Sequence, residues 1–163
     1  MKCISLWQPW ATLFLGLKRY ETRHWHTHYR GPLLIHAAKR RDGFARQLFR
    51  TADLQAALRE MGIVSFDHSI FEDLPFGKII GKVDLSDCSM VVDDEVGNFS
   101  RLENGALITE PELSFGNFAR GRFAWDAPKK WRFKEPIPFK GMQGFFNVPD
   151  DLVAEQLVKA SAS

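Results

Sequence analysis

The sequence predicts an α+β fold: a small mixed β-barrel of five or six short strands, flanked by helices at the start, middle and end of the chain. Three observations lead there. Short β-type runs recur along the chain with Gly- or Pro-containing turns between them, helical stretches fall between the runs and after the last one, and Gly77 to Leu85 alternates as a strand while carrying glycines at 77 and 81. Glycines inside a strand permit the bulge or sharp bend that closing a barrel requires. At 163 residues, 45% hydrophobic and 26% charged, the chain has the size of one domain and enough apolar matter for a core, so a single domain over 1–163 is expected.

Lys2 to Leu6 is a short β-type run, and Pro9 is placed for the first turn of a helix over Trp10 to Leu15 that Gly16 stops. Tyr20, Thr22 and Trp25 favour extended structure between Lys18 and Trp25, and Arg30-Gly31-Pro32 turns the chain into a buried strand over Leu33 to Ala38. Asp42 caps an expected helix with Phe44 and Leu48 on one face, and a second helix carrying Leu54, Leu58 and Met61 ends at Gly62. After the strand at 77–85, residues 88–114 are acidic and poorly patterned and read as an irregular insertion with one helical turn. Order returns with GRFAWD at 121–126, WRF at 131–133, a Pro-Ile-Pro edge at 136–138 and FFNV at 145–148. A C-terminal helix then runs over about 150–160, opened by Asp150.

The apolar run Ala11 to Leu17 is far short of the roughly 20 residues a membrane helix needs. The opening MKCISLWQPW lacks the apolar core and cleavage site of a secretion signal, so a cytoplasmic chain is expected. Cys3 and Cys88 form no zinc or redox spacing and read as reduced, buried thiols. Net charge is +2, but its distribution is uneven: residues 1–50 hold ten Lys or Arg against two acids, 51–119 hold four against thirteen, and 120–163 hold eight against five. Two basic ends brought together would make a positive face suited to phosphates, and like-charged segments kept apart would make none.

The basic start contains GLKRYETR at 16–23, in which Gly16, Lys18, Glu21 and Arg23 satisfy G-x-K-x-x-E-x-R. Around it stand Ser5 with Gln8-Pro9-Trp10, Tyr29-Arg30-Gly31-Pro32 with Ile35-His36 and Lys39, Gly121 to Trp125, and Gly141 with Gln143-Gly144. Together these anchors resemble the ASCH domain family of the PUA-like superfamily, in particular its small stand-alone bacterial members, over most of the chain. The resemblance implies a PUA-like barrel flanked by helices, a cleft, and an association with RNA or other nucleic acids. Some small members are similar to ribonucleases acting on single strands. Others are amidohydrolases of an acylated cytidine that use the motif Lys, a Thr three residues later and a Glu further on. The Lys carries over as Lys18, and the Thr position holds Glu21 here.

The chemistry of these residues gives the expected site. Phosphodiester cleavage needs a base, an acid and positive charge at the phosphorus centre, and Lys18, Glu21 and Tyr29 are the candidate catalytic residues. Arg presents a planar fork to phosphate oxygens, and Arg23, Arg30 and Arg122 join Ser5, Trp7, Gln8 and Lys39 as candidate nucleic-acid contacts. In an extended segment Glu21 and Arg23 share a face, so the carboxylate can orient the guanidinium, or the two simply lock the strand as an ion pair. Trp7, Trp10, Trp25, Tyr29, Trp125 and Trp131 interleave with the basic segments, most of them as core, with Trp7 or Tyr29 as a cleft wall on which bases rest. His24, His26 and His28 alternate, but His68 is distant and His36 sits within an apolar strand as a hydrogen-bonded core residue, so no metal site is expected. Glu21 is the sole acid before residue 42, so a catalytic Mg²⁺ would rely on substrate phosphates. The expected ligand is single-stranded RNA or a nucleotide-like molecule, bound and cleaved. Hydrolysis of a modified nucleoside and binding without turnover are the alternatives.

Overall fold

The computed structural model describes residues 1–163 except 42, 44–46, 48–50, 64–69, 96–97 and 162–163. The helix expected from Asp42, with Phe44 and Leu48, lies outside the described residues, as does His68. Two compact units are present, each assembled from separated stretches of chain. The first comprises Met1–Leu17, Pro32–Val83 and Lys130–Ser163, and the second Lys18–Gly31 and Asp84–Lys129.

The first unit is built on a five-stranded sheet in the order β10-β1-β3-β4-β9, formed by β1 (Lys2–Leu6), β3 (Gly31–Ala37), β4 (Lys78–Leu85), β9 (Lys129–Pro138) and β10 (Phe145–Asn147). β1 runs parallel to β3, pairing Cys3 with Leu34 and Ser5 with His36, and antiparallel to β10. A parallel pair needs a crossover, and the helix α1 (Trp10–Phe14) lies in it. Leu33 to Ala37 are all buried, which explains the unbroken apolar run there: both faces of β3 are covered. Gly81 answers to space, because a Cβ there would stand 2.4 Å from the carbonyl oxygen of Trp131 and 2.6 Å from a Leu15 methyl.

Two further helices, α2 (Ala52–Glu60) and α3 (Ile70–Asp73), precede β4, and α4 (Asp150–Ser161) follows β10. α4 buries Val153, Gln156 and Ala160, with Leu157 half-buried, the stripe expected of a helix on a core. Its apolar residues join Cys3, Leu34, Ile79, Phe133 and Phe146 in one cluster. α2 ends as the sequence predicts. Gly62 takes φ of 72°, its N–H donates to the Arg59 carbonyl, and the Ile63 N–H donates to the Leu58 carbonyl. These two bonds form a Schellman cap, which needs a left-handed residue at its corner. Gly62→Ala is therefore expected to lower stability by about 1 kcal/mol, read as a fall in the thermal midpoint; an unchanged midpoint would show that the cap contributes nothing.

The second unit holds a sheet in the order β2-β8-β5-β6-β7. Its strands are β2 (Tyr20–Arg23), β5 (Asp87–Glu95), β6 (Phe99–Leu102), β7 (Leu107–Ile108) and β8 (Phe123–Asp126), with a 3₁₀ turn at Glu112–Phe115. Tyr20, Val91, Leu102, Ile108, Phe118 and Ala124 form its core. Residues 88–114, read from sequence as an irregular insertion, instead supply three strands. A register shift between Val91 and Asp93 breaks the alternation that would have marked β5, and the acids past the shift sit on exposed or half-exposed positions. Asp93 pairs in register with Arg101 and binds its guanidinium at 2.8 Å, so charge here belongs to cross-strand pairing.

The class is α+β as expected, and the described residues contain ten strands in place of five or six. The additional strands are β5, whose register shift interrupts its alternation, and β6 and β7, which at four and two residues are too short to show a pattern.

Candidate functional site

Lys18, Glu21 and Arg23 come together in the second unit. β2 pairs antiparallel with β8, Glu21 opposite Trp125 and Arg23 opposite Phe123. Period-two alternation then sends Tyr20 and Thr22 to one face and Glu21 and Arg23 to the other. The start of the strand is fixed by acids the sequence reading did not single out. The two carboxylate oxygens of Glu112 accept the backbone N–H groups of Arg19 and Tyr20 at 2.9 and 2.8 Å. The Arg19 guanidinium grips Asp126 with two bonds of 2.7 and 2.8 Å, so this motif arginine is committed to holding β2 on β8.

Lys18 is 1% exposed, and its ammonium donates to Glu21 Oε2 at 2.6 Å. The other carboxylate oxygen, Oε1, lies 3.6 Å from Arg23 Nη1. Glu21 is thus a buried carboxylate set between two cations, which answers why one acid stands in a basic motif: a buried ammonium needs a charged partner. Both Glu21 oxygens face cations, which disfavours a Mg²⁺ ion on this carboxylate.

Arg122, just before β8, donates from Nη2 to the Thr22 carbonyl at 3.4 Å. The Nε atoms of Arg23 and Arg122 are buried and have no hydrogen-bond partner among the described residues. Both arginines are half-buried. A buried guanidinium N–H without an acceptor is costly unless a ligand or water supplies one.

Arg30 is spent closer to home. Its Nη1 donates to the carbonyls of Thr27 and Tyr29, both at 2.9 Å, and its Nη2 lies 3.4 Å from Asp87. Burial, with the charge of Asp84, pushes the Tyr29 phenol above its ordinary value, so at neutral pH it stays protonated and acts as a donor. β2 ends at Arg23, so the three alternating histidines fall in the following bend and loop, all exposed, with the rings of His26 and His28 at 4.5 Å. Among the described residues no group of three or more His, Cys, Asp or Glu is arranged to hold a metal. Trp25 meets the fully buried Trp125 edge-on at 4.6 Å, which fixes the far end of the motif loop.

Ser5, Trp7, Gln8 and Lys39 fall in the first unit. Gln8 is fully buried; its Oε1 accepts the Thr12 N–H of α1 and its Nε2 donates to the Pro75 carbonyl, so it braces the helix. Trp7 is exposed, with the Arg40 guanidinium 4.7 Å from its ring centre. Ser5 is hydrogen-bonded to His36, and Lys39 is exposed at a pocket rim.

Comparison with known proteins decides the family. A family model for the ASCH domain matches residues 4–140, most of the chain. The chain belongs to the ASCH domain family. The ASCH chain is also similar to activating signal cointegrator 1 of Mus musculus, 39% identical over 87 residues, and to that of Homo sapiens, 38% identical over the same length. In each case 53% of the ASCH chain is covered, and it spans 14% of the relative's length. The α+β class of the ASCH chain is consistent with the PUA-like barrel that the resemblance implies.

Both cysteines of the ASCH chain are buried and free, and burial pushes the Cys3 thiol up to about 12 and raises Cys88 as well. Neither is expected to react with a maleimide at neutral pH while the chain is folded, and both should react in denaturant; rapid labelling of the native protein would contradict the burial. No helix among the described residues is long and apolar enough to cross a membrane.

Proposed function

We propose that this ASCH domain binds single-stranded RNA through phosphate contacts made by Arg23 and Arg122. One observation carries the reading: two half-buried guanidinium groups whose Nε atoms find no acceptor among the described residues, the first of them oriented by Glu21. Phosphate oxygens would meet the solvent-facing ends of these half-buried groups, and a guanidinium fork matches them in charge and geometry. The Lys18 ammonium adds a positive charge that Glu21 offsets, leaving the two arginines as net positive charge. The association of the family with RNA points the same way.

Cleavage of the bound strand is the finer reading, with Glu21 as base, Lys18 as electrostatic stabiliser and Tyr29 as a proton donor. Glu21 can take a proton only after one of its cation contacts opens, so substrate binding would have to draw Lys18 or Arg23 toward phosphate. The amidohydrolase reading has less support, because Glu21 stands where those relatives have Thr.

Filter retention of a labelled single-stranded RNA tests binding, and a gel of the same mixture, with and without Mg²⁺, tests cleavage. Affinity is expected to fall steeply between about 50 and 200 mM salt, as counterion release weakens. Affinity that ignores salt would overturn the phosphate-contact reading. Intact RNA on the gel would make the site a binding cradle, and products that a Lys18→Ala variant shown to be folded no longer forms would make it a nuclease.

A further inference from the structure

The first unit contains a pocket of about 950 Å³ that the reading above does not use. That is the size of a small-molecule site. Lys39, Lys78 and Lys140 line it; among the described residues no acidic side chain does, and none of the three ammonium groups is ion-paired. The aromatic rings of Phe76 and Phe139 supply apolar wall. The amides of Gly141, Met142 and Gln143, along one rim, make no backbone hydrogen bond among the described residues. Three cations and free amides beside aromatic faces suit a molecule with a phosphate at one end and a flat ring at the other.

A polar pair in the wall defines what that ring carries. Ser5 on β1 and His36 on β3 are paired in register, with Ser5 Oγ 2.9 Å from His36 Nδ1. His36 Nε2 lies 3.0 Å from the carbonyl oxygen of Phe139, which can only accept, so Nε2 carries the proton. His36 is 1% exposed, and burial lowers its pKa, which keeps the ring neutral at pH 7. Nδ1 is then a bare acceptor, and the Ser5 hydroxyl must donate to it. The Ser5 oxygen consequently presents only lone pairs to the pocket and can meet only a donor. Gly141 packs directly against this pair: a Cβ there would stand 2.6 Å from Ser5 Oγ and 2.5 Å from His36 Cε1.

We propose that this pocket binds a nucleoside monophosphate whose base bears an exocyclic amino group, with the amine donating to Ser5 Oγ, the base against Phe76 or Phe139, and the phosphate among Lys39, Lys78 and Lys140. The pocket is built from the first unit and the Arg23–Arg122 cluster from the second, and the proposal does not depend on the RNA reading.

Equilibrium titration with CMP against UMP, and AMP against IMP, tests it, because at nearly constant shape each pair exchanges an amine for a carbonyl oxygen and the adjoining bare ring nitrogen for an N–H. The amino nucleotide is expected to bind at least about tenfold more tightly, since a keto oxygen would face the Ser5 lone pairs. Ser5→Ala should abolish the discrimination, so that CMP and UMP bind alike. The Lys39→Ala/Lys78→Ala/Lys140→Ala variant should weaken all four nucleotides and inorganic phosphate alike. Equal binding of CMP and UMP, selectivity that survives Ser5→Ala, or absence of nucleotide binding by the wild type would each overturn the proposal. Arg23→Ala/Arg122→Ala should keep CMP affinity whether or not it loses RNA; loss of CMP in that variant would mean that the pocket is not an independent site.

Discussion

Replacing Glu21 by Gln is expected to destabilise the protein by about 3 kcal/mol or more, because it removes the carboxylate facing a lysine buried to 1% exposure. For a chain of this size that is a fall of about 10 °C in the thermal midpoint. The cause is asymmetric. The attraction between Lys18 and Glu21 roughly offsets the cost of burying both, but an ammonium left there without its carboxylate keeps the cost and loses the gain. The double replacement Lys18→Met/Glu21→Leu removes both charges and should restore most of the lost stability, so the two substitutions will be far from additive. Thermal unfolding of the wild type, the two single variants and the double variant measures this coupling. If Glu21→Gln unfolds at the wild-type temperature, or the double variant is worse than the sum of the singles, the buried pair does not hold this part of the second unit together.

The second large effect concerns RNA. Arg23→Ala and Arg122→Ala are each expected to weaken single-stranded RNA binding, and the double variant to lose at least about tenfold at low salt. Each substitution should also flatten the dependence of log affinity on log salt by about 0.7, the contribution of one phosphate contact on a single strand. The slope is the discriminating readout: a substitution that merely perturbed the fold would reduce the active fraction without changing it. Arg30→Ala should change the slope little, since that guanidinium is occupied by the carbonyls of Thr27 and Tyr29 and by Asp87. An Arg30 effect larger than that of Arg23 would move the interface onto the 27–30 loop.

Much of the secondary structure was legible, and the reason is local. β1, α1, β3, the Gly62 end of α2, β4 and β8 each carry their signal in a few consecutive residues: an apolar run, a proline at a helix start or a glycine at a stop. β5 was not, because its register shift hides the alternation and its acids are matched by residues on another strand. The Lys18–Glu21–Arg23 relation was partly legible, since period two places Glu21 and Arg23 on one face of any strand. That Lys18 would be buried, and that Arg19 would be taken up by Asp126, was not.

By itself, then, the sequence determined the α+β class, the family through GLKRYETR and its flanking anchors, and the residue types available for binding an anion. Tertiary structure decided their availability. Gln8 and Arg30 are consumed by internal hydrogen bonds, Arg23 and Arg122 are left with buried donors to satisfy, and Ser5 is turned into an acceptor by His36 and the Phe139 carbonyl. The physical reason is common to all of them. Whether a polar side chain is free to bind depends on partners distant in sequence: Gln8 meets Pro75 and His36 meets Phe139 only once the sheets have formed.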